Sequence, residues 1–215
     1  MRNVNGNVLF SASDLMKFLG CAHATALDLA HLKGIGPVPA TATEDAALLQ
    51  KQGDQHEQNF LNALWTKGKS VTEIVRGSLD QNVRETISAL QAGPDYVFQG
   101  ALAGPLFAGW SDFLERVEKP SLLGKFSYEV VDTKLKRKPH PKHVLQLVIY
   151  SDLLTQIQGL APEYAHVELG NHERATIKLA DFSSYAHEIT SGNAPCTLRR
   201  LRSMPLARSL SFRLG

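Results

Sequence analysis

Two acidic residues and a lysine in the middle of the chain have the types and the spacing that metal-assisted phosphodiester hydrolysis needs. Asp112 and Asp132 lie in two apolar, strand-like segments, and Lys134 follows the second acid by two residues. Carboxylate oxygens are the ligands that Mg²⁺ and Mn²⁺ prefer, and a bound cation lowers the pKa of its water. A nearby lysine can stabilise the phosphorane-like transition state. The sequence therefore predicts a Mg²⁺ or Mn²⁺ site at one edge of a sheet.

Two further polar residues, Gln146 and Tyr150, lie four residues apart in an apolar segment that follows the second acid. At this spacing they share one face of the predicted helix. One interpretation is that they hold a phosphate or a metal-bound water. The other is that Gln146 joins a structural network while Tyr150 keeps its hydroxyl at the surface. The sequence alone leaves both interpretations open.

The acids and the lysine also have a structural interpretation, as solvated residues at the ends of strands. Asp132 argues against it, because it directly follows Val130 and Val131 in an apolar strand, where an unpaired carboxylate is costly. A basic run comes next, and its charges would attract a phosphate backbone, although a solvated loop explains them equally well. The residues of this run that we expect to contact DNA are Lys136, Arg137, Lys138 and Lys142.

Hydrophobic periodicity and turn residues predict the elements that position these residues. Helical patterns cover residues 12–19, 23–33, 45–65, 82–91, 142–156 and 181–190. Strand patterns cover residues 71–75, 96–102, 106–114, 128–133, 164–169 and 175–179. Ser11 with Asp14 predicts a capping box for the first helix, and Thr43 predicts a cap for the third. This order of elements indicates one mixed α/β domain over residues 1–195.

Composition and charge set further limits. The chain has 215 residues, of which 43% are apolar and 20% charged, as in a globular domain. No segment approaches the ~20 apolar residues of a membrane span, and the N-terminus lacks a signal-peptide core, so we expect a cytoplasmic protein with no membrane partner. Five of the 23 basic residues lie in the acid-free segment 196–215, which leaves 18 basic and 21 acidic residues elsewhere. The bulk charge therefore does not argue for nucleic-acid binding.

Taken in order, four motifs and the segment Phe10–Leu15 followed by Cys21 resemble the RecB-like nuclease family of the PD-(D/E)xK superfamily. The motifs are Gly53-x-x-His56-Glu57, Gly109-x-x-Asp112, Asp132-x-Lys134 and Gln146-x-x-x-Tyr150. The resemblance covers about residues 8–195. Within the family, the chain is similar to the subgroup of nucleases found at the N-terminus of longer bacterial proteins. It implies a restriction-endonuclease-like fold, with a central mixed sheet flanked by helices.

The resemblance also implies a role for most of these residues. The implied metal ligands are His56, Asp112, Asp132 and the carbonyl of Thr133. Lys134 is the implied catalytic lysine, and Gln146 and Tyr150 complete the site and contact the DNA backbone. Glu57 receives no role.

The implied reaction is metal-dependent hydrolysis of DNA, on single strands or ends, in DNA repair or processing. Two alternatives remain. One is a non-catalytic nucleic-acid-binding module with a degenerate site, which predicts DNA binding that survives Asp132→Ala. The other is a structural or partner-binding α/β domain, which predicts neither DNA nor metal binding. Oligomeric state, cleavage polarity and the preference between DNA and RNA are open.

The C-terminus departs from the family pattern. Members with a cysteine like Cys21 often carry three more near the end, as C-x2-C-x5-C, and the four hold an iron–sulfur cluster. This chain has only Cys196 there, which predicts that the cluster is absent. A one-base frameshift is one explanation, because the codon junctions at Leu201, Met204 and Leu210 can reproduce the missing spacing. A natural basic arm that binds phosphates is the alternative.

Overall fold

The computed structural model describes residues 1–4, 6–40, 43–138 and 141–182, and for residues 141 and 142 it describes the backbone alone. Most of the helix predicted over residues 181–190, Cys196 and the basic segment 196–215 lie outside the described residues. The predictions made for them, including the frameshift, therefore stay predictions.

Eight strands and five helices follow one another in the described ranges, and a short 3-10 turn (Leu179–Phe182) comes last. The strands are β1 (Arg2–Val4), β2 (Asn7–Leu9), β3 (Val71–Glu73), β4 (Tyr96–Ala103), β5 (Ala108–Val117), β6 (Ser127–Lys134), β7 (Tyr164–Leu169) and β8 (Arg174–Lys178). The helices are α1 (Ala12–Gly20), α2 (Ala22–Leu32), α3 (Glu44–Thr66), α4 (Leu79–Ala92) and α5 (Pro141–Gln158).

Strands β3 to β8 form one mixed sheet in chain order, and β1 pairs with β2 in a separate hairpin. β3 runs parallel to β4 and β6 runs parallel to β7, whereas the other neighbours are antiparallel. The two parallel pairs are each joined by a helix, α4 and α5 respectively, as a crossover requires. β6 is buried along nearly its whole length, because helices cover both of its faces.

Successive side chains along the strands point to opposite faces of the sheet, and each face packs into its own hydrophobic core. On one face, Leu61 and Leu64 of α3 pack against Phe98, Phe113 and Val131. On the other face, α1 and α5 pack against the alternate residues of the same strands, which include Val97, Leu114 and Val130. Asp132 therefore projects from the face that α5 covers.

The structure confirms most of the predicted elements, with limits that differ by a few residues. Ser11 and Asp14 form the capping box of α1, and Thr43 caps α3. The prediction missed the β1–β2 hairpin, whose three-residue strands are too short to give a period. In the first half of α3, the apolar residues Leu48 and Leu49 are 56% and 63% exposed.

The two tryptophans differ in exposure. Trp110 is half-buried, whereas Trp65 is 48% exposed at the end of α3. Within the described part of the chain, no helix is long and apolar enough to cross a membrane.

Candidate active site

The site lies where β5 and β6 separate. The ladder between these strands ends at the pair Phe113 and Val131, directly before the position where Asp112 and Asp132 would face each other. Because β6 has lost its ladder partner there, the backbone N–H of Thr133 needs another acceptor. Asp112 supplies it: Oδ2 accepts hydrogen bonds from the Thr133 nitrogen at 2.8 Å and from its hydroxyl at 2.9 Å. One carboxylate thus orients the backbone that carries the next.

Asp132 is 2% exposed and is held by two donors. Its Oδ1 accepts hydrogen bonds from Lys134 Nζ at 2.7 Å and from Gln146 Nε2 at 3.0 Å. Oδ2 lies 2.6 Å from the same ammonium, but it accepts no well-aligned hydrogen bond from any described residue. Burial raises the pKa of Asp132 well above its usual range, and the Asp112 carboxylate raises it further, whereas Lys134 lowers it.

Lys134 contacts the Asp132 carboxylate and also feels the charges of Asp112 and Glu57. Nζ donates to Asp132 and also to the Thr133 carbonyl oxygen at 3.0 Å. Burial alone lowers the pKa of Lys134, but the negative charges of Asp132 and Asp112 outweigh it, and the net shift is upward. Lys134 is therefore a cation at neutral pH. The Thr133 carbonyl, which the family resemblance assigns to the metal, is engaged by this ammonium.

Gln146 and Tyr150 both face the carboxylates from α5. Tyr150 is 6% exposed, so nearly all of its side chain is buried. Its ring packs against Gly109, where an added Cβ would lie 2.5 Å from the Tyr150 hydroxyl oxygen. Burial, followed by the charges of Asp112 and Asp132, raises the pKa of Tyr150 above its usual value. The hydroxyl therefore stays protonated and available as a donor.

Glu57 is a site residue that the sequence analysis left without a role. It lies on α3, and Gln99 of β4 donates a hydrogen bond from Nε2 to its Oε1. The pKa of Glu57 is raised to about 7, first by burial and then by the charge of Asp112, and the Gln99 hydrogen bond offsets part of this rise. The motif Gly53-x-x-His56-Glu57 marked the position, but only the fold brings α3 to the separated strands.

Gln99 reaches Glu57 through an unusual backbone. Its φ is 56°, in the left-handed region that non-glycine residues seldom occupy. It stands opposite Asp112, in the single gap of the ladder between the pairs Phe98–Phe113 and Gly100–Ser111. Such strain persists where surrounding contacts hold it, and it is frequent at functional sites. Nothing in a one-dimensional pattern signals this conformation.

The His56 side chain does not contact the same residues as its neighbour Glu57. Its Nε2 lies 3.3 Å from the carbonyl oxygen of Glu168 on β7. The ring lines a cavity of about 190 Å³ together with residues such as Phe60, Lys67 and His172. Among the residues that the structure describes, no three His, Cys, Asp or Glu side chains are grouped closely enough to hold one metal ion. The structure therefore does not bring His56 together with Asp112 and Asp132.

The remaining predicted residues lie at the surface. Lys136, Arg137 and Lys138 are exposed in the turn after β6, and the side chain of Lys142 is not described. Cys21 is an exposed free thiol at the junction of α1 and α2. An iron–sulfur cluster needs four ligands, and this chain holds two cysteines in all, so its residues do not fit such a cluster.

The donor set does fit a hard divalent cation. The charge of Asp112 raises the free energy of the charged form of Asp132, and a cation bound by both carboxylates would offset that cost. Asp132 Oδ2 is buried without a well-aligned hydrogen bond from a described residue, although the Lys134 ammonium lies 2.6 Å from it. No protein-family model matches the chain, and no curated protein matches its sequence.

Proposed function

We propose that this chain is a Mg²⁺- or Mn²⁺-dependent deoxyribonuclease domain of the RecB-like PD-(D/E)xK type. It would hydrolyse phosphodiester bonds of single-stranded DNA or DNA ends, in repair or processing in the cytoplasm. The observation that carries the proposal is the meeting of Asp112, Asp132 and Lys134 at the point where two strands separate. A structural ion pair at a strand end would not need a second carboxylate that raises the pKa of the first.

The proposed fold is restriction-endonuclease-like. The support is a central mixed sheet with α3 on one face and α5 on the other, and an acid–x–lysine strand at its centre. A helix that follows this strand and returns to its parallel neighbour supplies Gln146. Fold alone does not imply activity, so the residues of the site carry the functional argument.

The proposed mechanism assigns the metal to Asp112 and Asp132. When bound there, the cation supplies a water of lowered pKa and polarises the attacked phosphate. Lys134 stays protonated and stabilises the negative charge that develops on the phosphate. Gln146 holds the Asp132 carboxylate in one orientation through its hydrogen bond to Oδ1.

Two residues complete the mechanism. The Tyr150 hydroxyl stays protonated and would donate a hydrogen bond to the substrate phosphate. Glu57, whose pKa is about 7, has the proton affinity that suits a general base at neutral pH. Its hydrogen bond from Gln99 holds the carboxylate in one orientation.

The experiment is cleavage of end-labelled single-stranded DNA by purified protein with Mn²⁺, beside Asp132→Asn. Asparagine keeps the size and the hydrogen bond from Gln146 but removes the charge. Glu118→Gln is the control, because Glu118 is 77% exposed beyond the far end of β5. We expect cleavage by the wild-type chain and the control, and none by Asp132→Asn.

A second candidate function is favoured by the position of His56. Since its Nε2 faces the Glu168 carbonyl and Lys134 engages the Thr133 carbonyl, two of the four ligands that the family resemblance implies are left, Asp112 and Asp132. A non-catalytic DNA-binding domain with a degenerate site would show this geometry. In the same experiment it predicts a shift of the labelled DNA on a native gel by both proteins, without cleavage by either.

A further inference from the structure

Two arginines that the sequence analysis did not single out stack on one tryptophan beside the site. The guanidinium carbon of Arg2 lies 4.5 Å from the centroid of the Trp110 ring, and that of Arg76 lies 4.7 Å from it. Arg2 comes from the β1–β2 hairpin and Arg76 from the loop between β3 and α4. Three segments far apart in the chain thus meet at one indole.

Buried Asn82 fixes this arrangement. Its side-chain nitrogen donates to the Val75 carbonyl at 2.9 Å, and its oxygen accepts from the Gly77 nitrogen at 2.8 Å. Asn82 therefore holds the backbone on both sides of Arg76. The same oxygen lies 3.3 Å from the Trp110 indole nitrogen, which donates to it. The loop and the indole are consequently held in one register before any ligand binds.

The two arginines of this cluster are not engaged in ion pairs with any described residue. Within the described ranges, no carboxylate forms an ion pair with Arg2 or Arg76, and Arg76 is exposed. Arg116 and Arg174, by contrast, pair with glutamates. Two guanidinium groups stacked on one indole and outside any ion pair with a described residue retain donors from which an anion can accept hydrogen bonds.

The cluster is continuous with the candidate active site. Trp110 precedes Asp112 by two residues on β5, so both side chains project from the same face of the sheet. Arg76 also donates to Gln99 Oε1 at 3.1 Å, and Gln99 donates in turn to Glu57. The charges of both arginines act on the Tyr150 hydroxyl, as do those of Asp112 and Asp132.

We propose that Arg2 and Arg76, stacked on Trp110, bind a backbone phosphate of the DNA strand that is cleaved. This phosphate would neighbour the one that is attacked. This inference rests on the proposed nuclease function. Guanidinium groups pair with phosphate through two parallel hydrogen bonds, and stacking on the indole limits their rotation beforehand. The cluster would hold the strand in line with the carboxylates, as a binding site and not as part of the chemistry.

The test measures binding without catalysis. A fluorescein-labelled oligothymidylate is titrated with protein in EDTA at several NaCl concentrations, and anisotropy gives the dissociation constant. Each phosphate contact on single-stranded DNA contributes about 0.7 to the slope of log K against log[salt]. We expect Arg2→Gln and Arg76→Gln each to weaken binding several-fold at low salt and to lower the slope by about 0.7. Slopes equal to that of the wild-type protein for both variants would overturn the inference.

Lys125→Gln is the matched control, because it removes the same charge from an exposed residue. Lys125 lies two residues before β6 begins, at the end of the strand away from the site. This variant should leave affinity and slope unchanged, and an equal loss in the control would also overturn the inference. Far-ultraviolet circular dichroism of each variant establishes that it is folded.

A second arm identifies the source of the anion. In a Trp65→Phe background, Trp110 is the sole tryptophan and its fluorescence reports on the cluster. We expect oligothymidylate to change this emission at concentrations where inorganic phosphate has no effect. An equal response to inorganic phosphate at equal concentration would make the ligand a free anion rather than a strand. Because both arms omit metal, an inactive enzyme that still binds in this way would overturn only the nuclease proposal.

Discussion

Asp112 accepts two hydrogen bonds from Thr133, one from the backbone nitrogen at 2.8 Å and one from the side-chain hydroxyl at 2.9 Å. Thr133 stands between Asp132 and Lys134, so this contact couples the acid on β5 to the acid–x–lysine motif on β6. It also satisfies the N–H that β6 exposes where its ladder with β5 ends.

Thr133→Val tests this coupling. Valine keeps the shape and the backbone hydrogen bond but removes the hydroxyl. We expect the free energy of unfolding to fall by about 1 kcal/mol, the usual contribution of one hydrogen bond, and the cleavage rate to fall with it. Urea unfolding measures the first quantity. Thr72→Val on β3 is the control, and an equal loss in both variants would remove the special role of Thr133.

Gly109→Ala tests the close approach of α5 to β5. The added methyl would lie 2.5 Å from the Tyr150 hydroxyl oxygen and 3.1 Å from its ring. We expect destabilisation of about 1–3 kcal/mol, as for other overpacked sites. The double variant Gly109→Ala with Tyr150→Phe should recover part of that loss, since it removes the nearest atom.

Gly53→Ala is the matched control for this prediction. Gly53 lies inside α3 with nothing within 4 Å of an added Cβ. Because alanine favours helix more than glycine does, this variant should gain about 0.5–1 kcal/mol. A destabilisation of similar size in both variants would show that the Tyr150 contact is not the cause.

Glu57 predicts a pH dependence of stability. Its pKa is about 7 in the folded protein and near 4.5 when unfolded, so the folded state binds the proton more tightly. The stability that this provides is complete below pH 4.5 and is lost as the pH rises through 7. Glu57→Gln should therefore match the wild-type protein near pH 4.5 and exceed it by about 1 kcal/mol at pH 8, after allowance for solvent screening.

The measurement is urea unfolding of both proteins in EDTA at several pH values. Glu118→Gln serves as the control, since Glu118 is exposed and should give no such divergence. A constant difference between Glu57→Gln and the wild-type protein across this range would contradict the assignment.

Without metal, the buried carboxyl of Asp132 should lower the stability of the folded protein, and bound Mn²⁺ should reverse this effect. In EDTA, Asp132→Asn removes a carboxyl whose pKa burial raises, and we expect it to be more stable than the wild-type protein at pH 8. Mn²⁺ should raise the melting temperature of the wild-type chain, because a ligand at 100 times its Kd adds about 2.7 kcal/mol. Thermal unfolding with and without Mn²⁺ checks both parts, and equal shifts in the two proteins would place the metal elsewhere.

The sequence predicted the elements of the sheet and the residues whose geometry is local. Lys134 reaches Asp132 because residues two apart on a strand share a face, and Gln146 and Tyr150 share a face because they are one helical turn apart. Glu57 stood in a quoted motif without a role, and only the structure shows its surroundings, since its partner Gln99 lies 42 positions away and adopts a left-handed backbone. His56 departs from the implied ligand set for the same reason: the path of α3 over the sheet decides which side chain of the helix faces the carboxylates.

The most direct test of the central claim is the single-turnover rate of cleavage of single-stranded DNA by the wild-type chain and by Lys134→Gln, at saturating Mn²⁺. If Lys134 stabilises the charge on the phosphate, the variant should cleave about 10²–10³-fold more slowly while it retains DNA binding. Equal rates in the two proteins would contradict the assignment of Lys134, and no cleavage by the wild-type chain would contradict the proposal that this cluster is an active site.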